Sequence, residues 1–201
     1  MSDIAGIELL TLLLYSPGET NKKNEKIRGI TKLVKLIFLL TRETDLENKI
    51  KDNFEYEAYD FGPYSSEVYD YLETMKVKKL LNIEEEQFID IREIIDEFIE
   101  KETANESLDI FSKNEKKVAI YSLSDLGLKF AEWLISKNKV SKEILSKIKT
   151  IKMKYNKMSL PQLLRYVYEN YPKDIEKSKI IDEVLLGYGR RKELTPFERE
   201  N

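Results

Sequence analysis

Apolar residues recur at steps of three and four near the start of the chain, which predicts two helices. The first covers about residues 4–14 and ends at the Ser16-Pro17-Gly18 triplet. The second covers about residues 30–40 and is apolar around nearly its whole circumference, so we expect it at the centre of a domain. A polar and basic loop connects the two helices.

Aromatic residues at alternate positions predict a strand between Phe54 and Phe61. Gly62 and Pro63 then predict a turn. Ser65 is a favourable N-cap residue, and the apolar positions after it predict a third amphipathic helix over residues 65–76.

Two short strands are predicted at residues 79–83 and 118–123, and they suit a β-hairpin except that 34 residues separate them. We interpret residues 84–115 as an acidic helical insertion between these strands. Its helix has an apolar seam, which must be covered by its own domain, by a second copy or by a partner protein. This seam consists of Phe88, Ile91, Ile95 and Phe98.

The remaining chain is predicted to be helical. Ser124 is the N-cap of one helix, and further helices follow at about residues 141–156, 160–170 and 174–186. Ser159 and Gln162 form a capping box at the start of the second of these. The inner face of the helix after Ser124 is predicted to consist of Leu126, Phe130, Trp133 and Leu134.

The order of these elements is helix, helix, strand, helix, strand, strand, helix. This order predicts a mainly α fold of the α+β class, with a winged helix-turn-helix core and a small β-hairpin wing. We assign the core to residues 1–137, a lysine-rich helical extension to residues 138–186, and a basic, flexible tail to residues 187–201.

The composition excludes most common intracellular chemistry. The chain has no histidine and no cysteine, which rules out disulfides, zinc sites built on these residues, and Ser-His-Asp or Cys-His nucleophiles. It also lacks a glycine-rich phosphate loop, an HExxH motif and a GxSxG motif. Carboxylates of the insertion leave magnesium binding open, although acidic helix faces usually meet solvent. We therefore expect a non-enzymatic protein without cofactor or metal.

Charge is distributed unevenly along the chain. The net charge is −3 and the isoelectric point is near 5.4, which is low for a nucleic-acid-binding protein. However, residues 1–83 carry 12 basic and 14 acidic groups, residues 84–115 carry 3 and 12, and residues 116–201 carry 19 and 11. The acidic middle and the basic end suit different partners, or each other.

The sequence predicts a cytoplasmic protein with no membrane partner. No basic region precedes the N-terminal apolar stretch, and no apolar run reaches the roughly 18 residues that a membrane span requires. Scarce glycine and proline beside abundant lysine, glutamate and isoleucine are typical of thermophile proteins.

Four segments of the chain resemble a known group of proteins. They are ITKLVKLIFL at residues 30–39, YDFGPYSSEV at 59–68, YSLSDLG at 121–127 and LLRYVYENYP at 163–172. Together, and in this order, they resemble the YwgA-like and Panacea-like winged-helix proteins of bacteria and archaea. The resemblance implies a winged-helix fold and, for Panacea-like domains, neutralisation of a toxin.

In a DNA-binding winged helix, the helix at residues 65–76 would enter the major groove. Its outward face carries Glu67, Asp70 and Glu73, which would repel phosphates. Basic residues before it are better candidates, because Arg28, Lys32 and Lys35 share one helix face. The full set of candidate DNA-binding residues is Lys22, Lys23, Lys26, Arg28, Lys32, Lys35, Tyr64, Ser65, Ser66, Lys113, Lys116, Lys117, Arg190, Arg191 and Lys192.

These basic residues have other interpretations. The stripe at positions 28, 32 and 35 would equally solubilise the exposed face of a buried helix. Residues 139–165 carry eight basic residues against Glu143, which suits a solvated surface, contact with nucleic acid, or docking of the acidic segment at residues 84–109. The free amides that open the helix at Ser65 and Ser66 would hold a phosphate or a partner carboxylate.

The favoured interpretation is a dimeric winged-helix DNA-binding protein that regulates transcription. The alternative is a protein-interaction module of antitoxin type, which would capture its partner through the apolar seam of the insertion and through the turn at Tyr64. DNA, a partner protein and a second copy of the chain are therefore all candidate partners.

Overall fold

The computed structural model describes residues 4–50, 54–89, 115–137 and 140–186, and it has an α+β fold with small antiparallel sheets. Helix α1 spans Gly6–Tyr15 and helix α2 spans Ile30–Arg42, with the short strand β1 (Ile27–Arg28) directly before α2. Residues 32–41 of α2 are all buried, so the prediction of a central helix is confirmed.

Residues 54–64 form a small β-hairpin where the sequence predicts a single strand. Strand β2 (Glu57–Tyr59) pairs with strand β3 (Gly62–Tyr64), and the chain reverses at Asp60 and Phe61. The turn therefore comes two residues earlier than predicted, and the prediction of one strand from Phe54 to Phe61 is wrong.

Gly62 is the first residue of strand β3, and two features restrict this position to glycine. Its φ is 80°, which disfavours other residues, and a Cβ there would lie 3.0 Å from the ring of Tyr168. Helix α3 spans Ser66–Val77 and follows the hairpin as predicted. Close packing against a distant helix thus fixes the hairpin beside the start of α3.

The predicted long-range pair of strands is confirmed, and both strands are longer than expected. Strand β4 (Leu81–Ile89) runs antiparallel to strand β5 (Glu115–Leu123), with Leu81 opposite Leu123. Strand β1 pairs with the other edge of β5, so the sheet order is β1-β5-β4.

The acidic insertion does not begin at residue 84, because residues 84–89 continue strand β4. Phe88, the first residue of the predicted helical seam, lies in this strand, opposite Lys116. The run Glu84-Glu85-Glu86 is typical of a solvent-exposed helix. In the structure, basic residues of the sheet neutralise the charge of these glutamates. Residues 90–114, with Ile91, Ile95 and Phe98, lie outside the described residues.

The C-terminal helices begin where their caps predict. Helix α4 spans Asp125–Ser136, α5 spans Lys142–Tyr155, α6 spans Leu160–Asn170 and α7 spans Ile181–Leu186. The Ser124 side chain accepts a hydrogen bond from Gly127 N, and the Ser159–Gln162 capping box is present. The helix predicted for residues 174–186 is instead a 3-10 turn at Pro172–Ile175 followed by the short α7.

Helices α5 and α6 belong to the main core. Ile144, Ile148 and Tyr155 of α5 are buried in the same hydrophobic cluster as the leucines of α1 and α2. Their contribution means that residues 140–186 complete the N-terminal bundle, so the described part of the predicted extension is an integral part of one packed unit.

The predicted inner face of helix α4 is half confirmed. Leu134 is buried and Phe130 packs on the core, but Leu126 and Trp133 are exposed, and Gly127 and Ala131 are buried instead. Gly127 packs closely on the backbone of Leu80, the residue before β4. An added Cβ would lie 2.1 Å from the carbonyl oxygen of Leu80. Small residues therefore bring this helix against the sheet, and larger apolar side chains are turned outward.

Candidate functional site

The basic stripe predicted on α2 is not on the surface. Lys35 is only 2% exposed, and its Nζ donates a hydrogen bond to the carbonyl oxygen of Pro63 at 2.7 Å. Lys32 is also buried, and its Nζ donates to the carbonyl oxygen of Asn156 at 2.8 Å. Arg28 is therefore the one exposed member of the three-residue stripe.

Burial changes the chemistry of these lysines. Removal from water lowers the pKa of Lys35 to about 7, and burial with the nearby charge of Arg28 lowers the pKa of Lys32. Both side chains are occupied inside the fold by backbone carbonyl groups. The expectation that Lys32 and Lys35 contact DNA phosphates is therefore wrong.

Three other predicted phosphate ligands are paired with glutamates across the sheet. Lys26 Nζ lies 2.6 Å from Glu84, and Arg28 Nε lies 2.7 Å from Glu86. The third, Lys117, pairs with the intervening glutamate at 2.9 Å. These side chains are about half exposed, but the strand that carries the glutamates cancels much of their positive potential.

The remaining basic candidates fall into two groups. Lys22 is exposed, and Lys23 lies over the ring of Tyr15 with its Nζ 5.0 Å from the centroid. Tyr15 raises the pKa of Lys23. The structure gives only the backbone of Lys116 and of Phe88. Lys113, Arg190, Arg191 and Lys192 lie outside the described residues.

The start of α3 differs in detail from its prediction. Ser65 occupies the N-cap position, but it is fully buried and its hydroxyl donates to the Glu67 carboxylate rather than capping the helix. Ser66 is exposed. Tyr64 is half-buried, because it lies between two other tyrosines.

These three tyrosines form a continuous ladder on the surface. The ring centroids of Tyr59 and Tyr64 are 5.1 Å apart, and those of Tyr64 and Tyr69 are 5.2 Å apart. The side chains of Tyr59 and Tyr69 are 52% and 39% exposed. In the hairpin register Glu57 lies opposite Tyr64, so these two side chains and Tyr59 share one face.

Acidic residues continue this surface along α3. Asp70 and Glu73 are exposed and lie within one helical turn of Tyr69. Glu73 pairs with Lys76 at 3.3 Å, whereas Asp70 makes no ion pair with any residue that the structure describes. Glu67, the third acid of the predicted outward face, is half-buried. We call Glu57, Tyr59, Tyr64, Tyr69, Asp70 and Glu73 the aromatic–acidic surface.

The sequence reading missed a second polar cluster, around Glu43. Tyr155 and Tyr166 both donate their hydroxyl protons to Glu43 Oε1, and Lys154 Nζ lies 3.2 Å from Oε2. Burial raises the pKa of the Glu43 carboxyl, but these donors outweigh it and hold the pKa below its usual value. The carboxylate is thus fully engaged in joining α2 to α5 and α6.

A cleft of about 490 Å³ borders this cluster. Its charged groups are already paired, because Lys147 contacts both Asp45 and Glu143. Hydrogen bonds from Lys147 and Lys49 lower the pKa of Asp45 to about 2. Both acids that line it, Glu43 and Asp45, are held by lysines. The cleft therefore suits a structural junction.

Lys152 was counted among surface lysines and is instead fully buried. Its Nζ donates to the carbonyl oxygens of Leu14 and Glu25 at 2.9 and 2.7 Å. Burial lowers its pKa to about 7, against the attraction of Glu25. The residues that accept its hydrogen bonds are more than a hundred positions away along the chain. Helical periodicity alone therefore does not reveal that Lys152 is buried.

Within the described ranges, no helix is long and apolar enough to cross a membrane, and no group of acidic side chains is placed to hold a metal ion. The aromatic–acidic surface is thus the most distinctive exposed feature of the described fold. No protein-family model matches the sequence, and no curated protein shows significant similarity to it.

Proposed function

We propose that this chain is a winged-helix protein that binds another protein through its aromatic–acidic surface. The element order α1-β1-α2-α3-β4-β5 supports the scaffold, because helices α2 and α3 are followed by an antiparallel pair of strands. The strand order β1-β5-β4, with the first strand beside the last, also supports it. Residues 43–65, which include the small hairpin β2–β3, connect α2 to α3, so this connection is longer than the turn of an ordinary helix-turn-helix.

The composition of the exposed side of α3 carries the proposal. In a DNA-binding winged helix this side meets the major groove, where phosphates attract cations. Here it presents Asp70 and Glu73 beside exposed tyrosines, while Lys32 and Lys35 are buried. Tyrosine is enriched at protein interfaces because its ring is apolar and its hydroxyl forms hydrogen bonds.

The test is affinity purification of tagged protein from cells that normally produce it. We expect one dominant partner with the natural sequence, and its loss with the charge reversal Asp70→Lys/Glu73→Lys. A matched reversal on a different helix, Asp125→Lys/Glu132→Lys of α4, should retain the partner, since both residues are exposed. An unchanged partner list with the first variant would count against the proposal.

DNA binding is the second candidate, and the same element order favours it. Its remaining basic candidates among the described residues are the exposed Lys22 and Lys23 and the half-exposed Lys26, Arg28 and Lys117. A labelled duplex titrated at low and at moderate salt tests it, because phosphate contacts give affinity that falls steeply with salt. Salt-sensitive binding that is lost in Lys22→Glu/Lys26→Glu would favour DNA over a protein partner.

A further inference from the structure

The tyrosine ladder has a geometry that specifies the partner more closely, if the proposed function holds. We propose that Tyr59, Tyr64 and Tyr69 bind an extended, proline-containing and basic segment of the partner protein. This inference rests on the proposed function, and it adds which kind of chain the surface recognises.

The spacing of the rings suits a polyproline II helix. Such a helix advances about 3.1 Å per residue with three residues per turn, so residues on one side recur about every 9 Å. The centroid distances of the two steps are 5.1 and 5.2 Å, so the row from Tyr59 to Tyr69 is at most about 10 Å long, close to one turn of such a helix. Adjacent rings are tilted by 38° in both steps. Exposed aromatic rings accept proline rings in known recognition modules.

The ladder is not needed by the core. Tyr59 is half exposed and Tyr69 is more than one-third exposed, although each is large enough to bury considerable apolar area. By contrast, the aromatic rings of Phe38 and Tyr155 are buried in the bundle. Burial and the neighbouring Tyr64 raise the pKa of Tyr69. A partly exposed aromatic row is thus available to an apolar ligand.

The charges around the ladder specify a basic ligand. Glu57 lies on the same face of the hairpin as Tyr59, while Asp70 and Glu73 extend from the other end. Because Asp70 has no ion-pair partner among the described residues, it is open to an arginine or lysine of the ligand. A cation would gain from the carboxylates and from the faces of the tyrosine rings. The same acids repel the phosphates of single-stranded nucleic acid, which would otherwise stack on such a ladder.

The experiment uses the full chain and fluorescein-labelled peptides, read by fluorescence anisotropy. The probe is a peptide of repeated Pro-Pro-Arg triplets, with one control that carries alanine for proline and another that carries glutamate for arginine. We expect the probe to bind, the alanine control to bind at least about tenfold more weakly, and the glutamate control not to bind. An oligothymidylate of similar length serves as the nucleic-acid arm.

Variants locate the binding site. Tyr59→Ser and Tyr69→Ser should each weaken the probe about tenfold or more, which is the usual loss when one stacked aromatic ring is removed. Trp133→Ser removes an exposed ring, 46% accessible, from a different helix and should leave the affinity unchanged. The two tyrosines lie on separate elements, so a local folding defect in one variant leaves the other informative.

Four outcomes would overturn the inference: no binding of the probe, equal binding of the alanine control, unaltered affinity in both tyrosine variants, or tighter binding of oligothymidylate than of the probe. If the probe fails while the natural partner is still lost in Asp70→Lys/Glu73→Lys, the inference is wrong and the proposed function stands. If the natural partner is also unaffected, both are wrong.

Discussion

Two lysines and two acids of the N-terminal half, spaced alike in the sequence, occupy opposite positions in this fold. Lys32 and Lys35 of α2 are inside, where each donates to a backbone carbonyl oxygen. Asp70 and Glu73 of α3 are outside, next to a row of tyrosines. Both sets are spaced like solvated helix faces in the sequence, yet only the acidic set forms an accessible surface.

The difference arises from the needs of the backbone. The last carbonyl groups of a helix have no partner within the helix, and an unpartnered buried carbonyl is costly. Lys152 donates to Leu14 in the last turn of α1, and Lys32 donates to Asn156 just after α5. A long aliphatic stem lets lysine reach such a group from inside the core. Carboxylates have no proton to offer these acceptors at neutral pH.

The largest effect is expected from Lys152→Glu. A carboxylate at this fully buried position would face the carbonyl oxygens of Leu14 and Glu25, with repulsion in place of two hydrogen bonds. We expect the free energy of unfolding to fall by at least about 3 kcal/mol, or the chain not to fold. Urea denaturation followed by circular dichroism measures it.

Lys149→Glu is the matched control, because Lys149 lies on the same helix and is exposed. Its effect should stay within about 0.5 kcal/mol. Similar losses from both substitutions would mean that Lys152 does not occupy the interior, and the distinction between buried and accessible lysines would fail.

The buried lysines also predict an unusual pH dependence. Below pH 7 both the folded and the unfolded states hold these protons, so stability is flat with respect to them. Between the folded pKa of about 7 and the unfolded value of 10.5, the unfolded chain binds more protons, and stability therefore rises with pH. Each of Lys35 and Lys152 contributes up to about 1.4 kcal/mol per pH unit.

Urea unfolding between pH 7.5 and 9.5 measures this slope. The chain has no histidine or cysteine, so these side chains do not titrate in this interval. Lys152→Met removes one titrating group, so its stability should rise less steeply with pH than that of the natural chain. A natural chain whose stability is constant or falls over this interval would show that both lysines keep ordinary pKa values.

Local signals in the sequence predicted much of the fold. The apolar circumference of α2, the cap at Ser124 and the Ser159–Gln162 capping box each act within a few residues, and each is found. The pairing of β4 with β5 also agrees, because a strand needs a neighbour for its backbone hydrogen bonds. The features of the helices depend on neighbouring positions, which a linear pattern contains.

The errors concern residues whose partners are distant. Position 62 is restricted to glycine by its φ and by the close ring of Tyr168, and Trp133 is exposed because small residues of α4 meet the sheet. Glu84 and Glu86 continue β4 and pair with Lys26 and Arg28 across β5. For the candidate site, the acids of α3 and Tyr64 were identified, but the ladder with Tyr59 and Tyr69 depends on how the hairpin packs beside α3.

The smallest effect is expected from the cross-sheet pair of Arg28 and Glu86, which tests whether pairing without burial matters. Both side chains are 49% exposed, so solvent screens their attraction although the contact is 2.7 Å. The test is a double-mutant cycle with Arg28→Ala, Glu86→Ala and the double variant, which cancels the other contacts of Arg28. We expect a coupling energy below about 1 kcal/mol that decreases with salt. A salt-independent coupling above about 2 kcal/mol would place this pair with the buried lysines, and Arg28 would then have a structural role rather than bind phosphates.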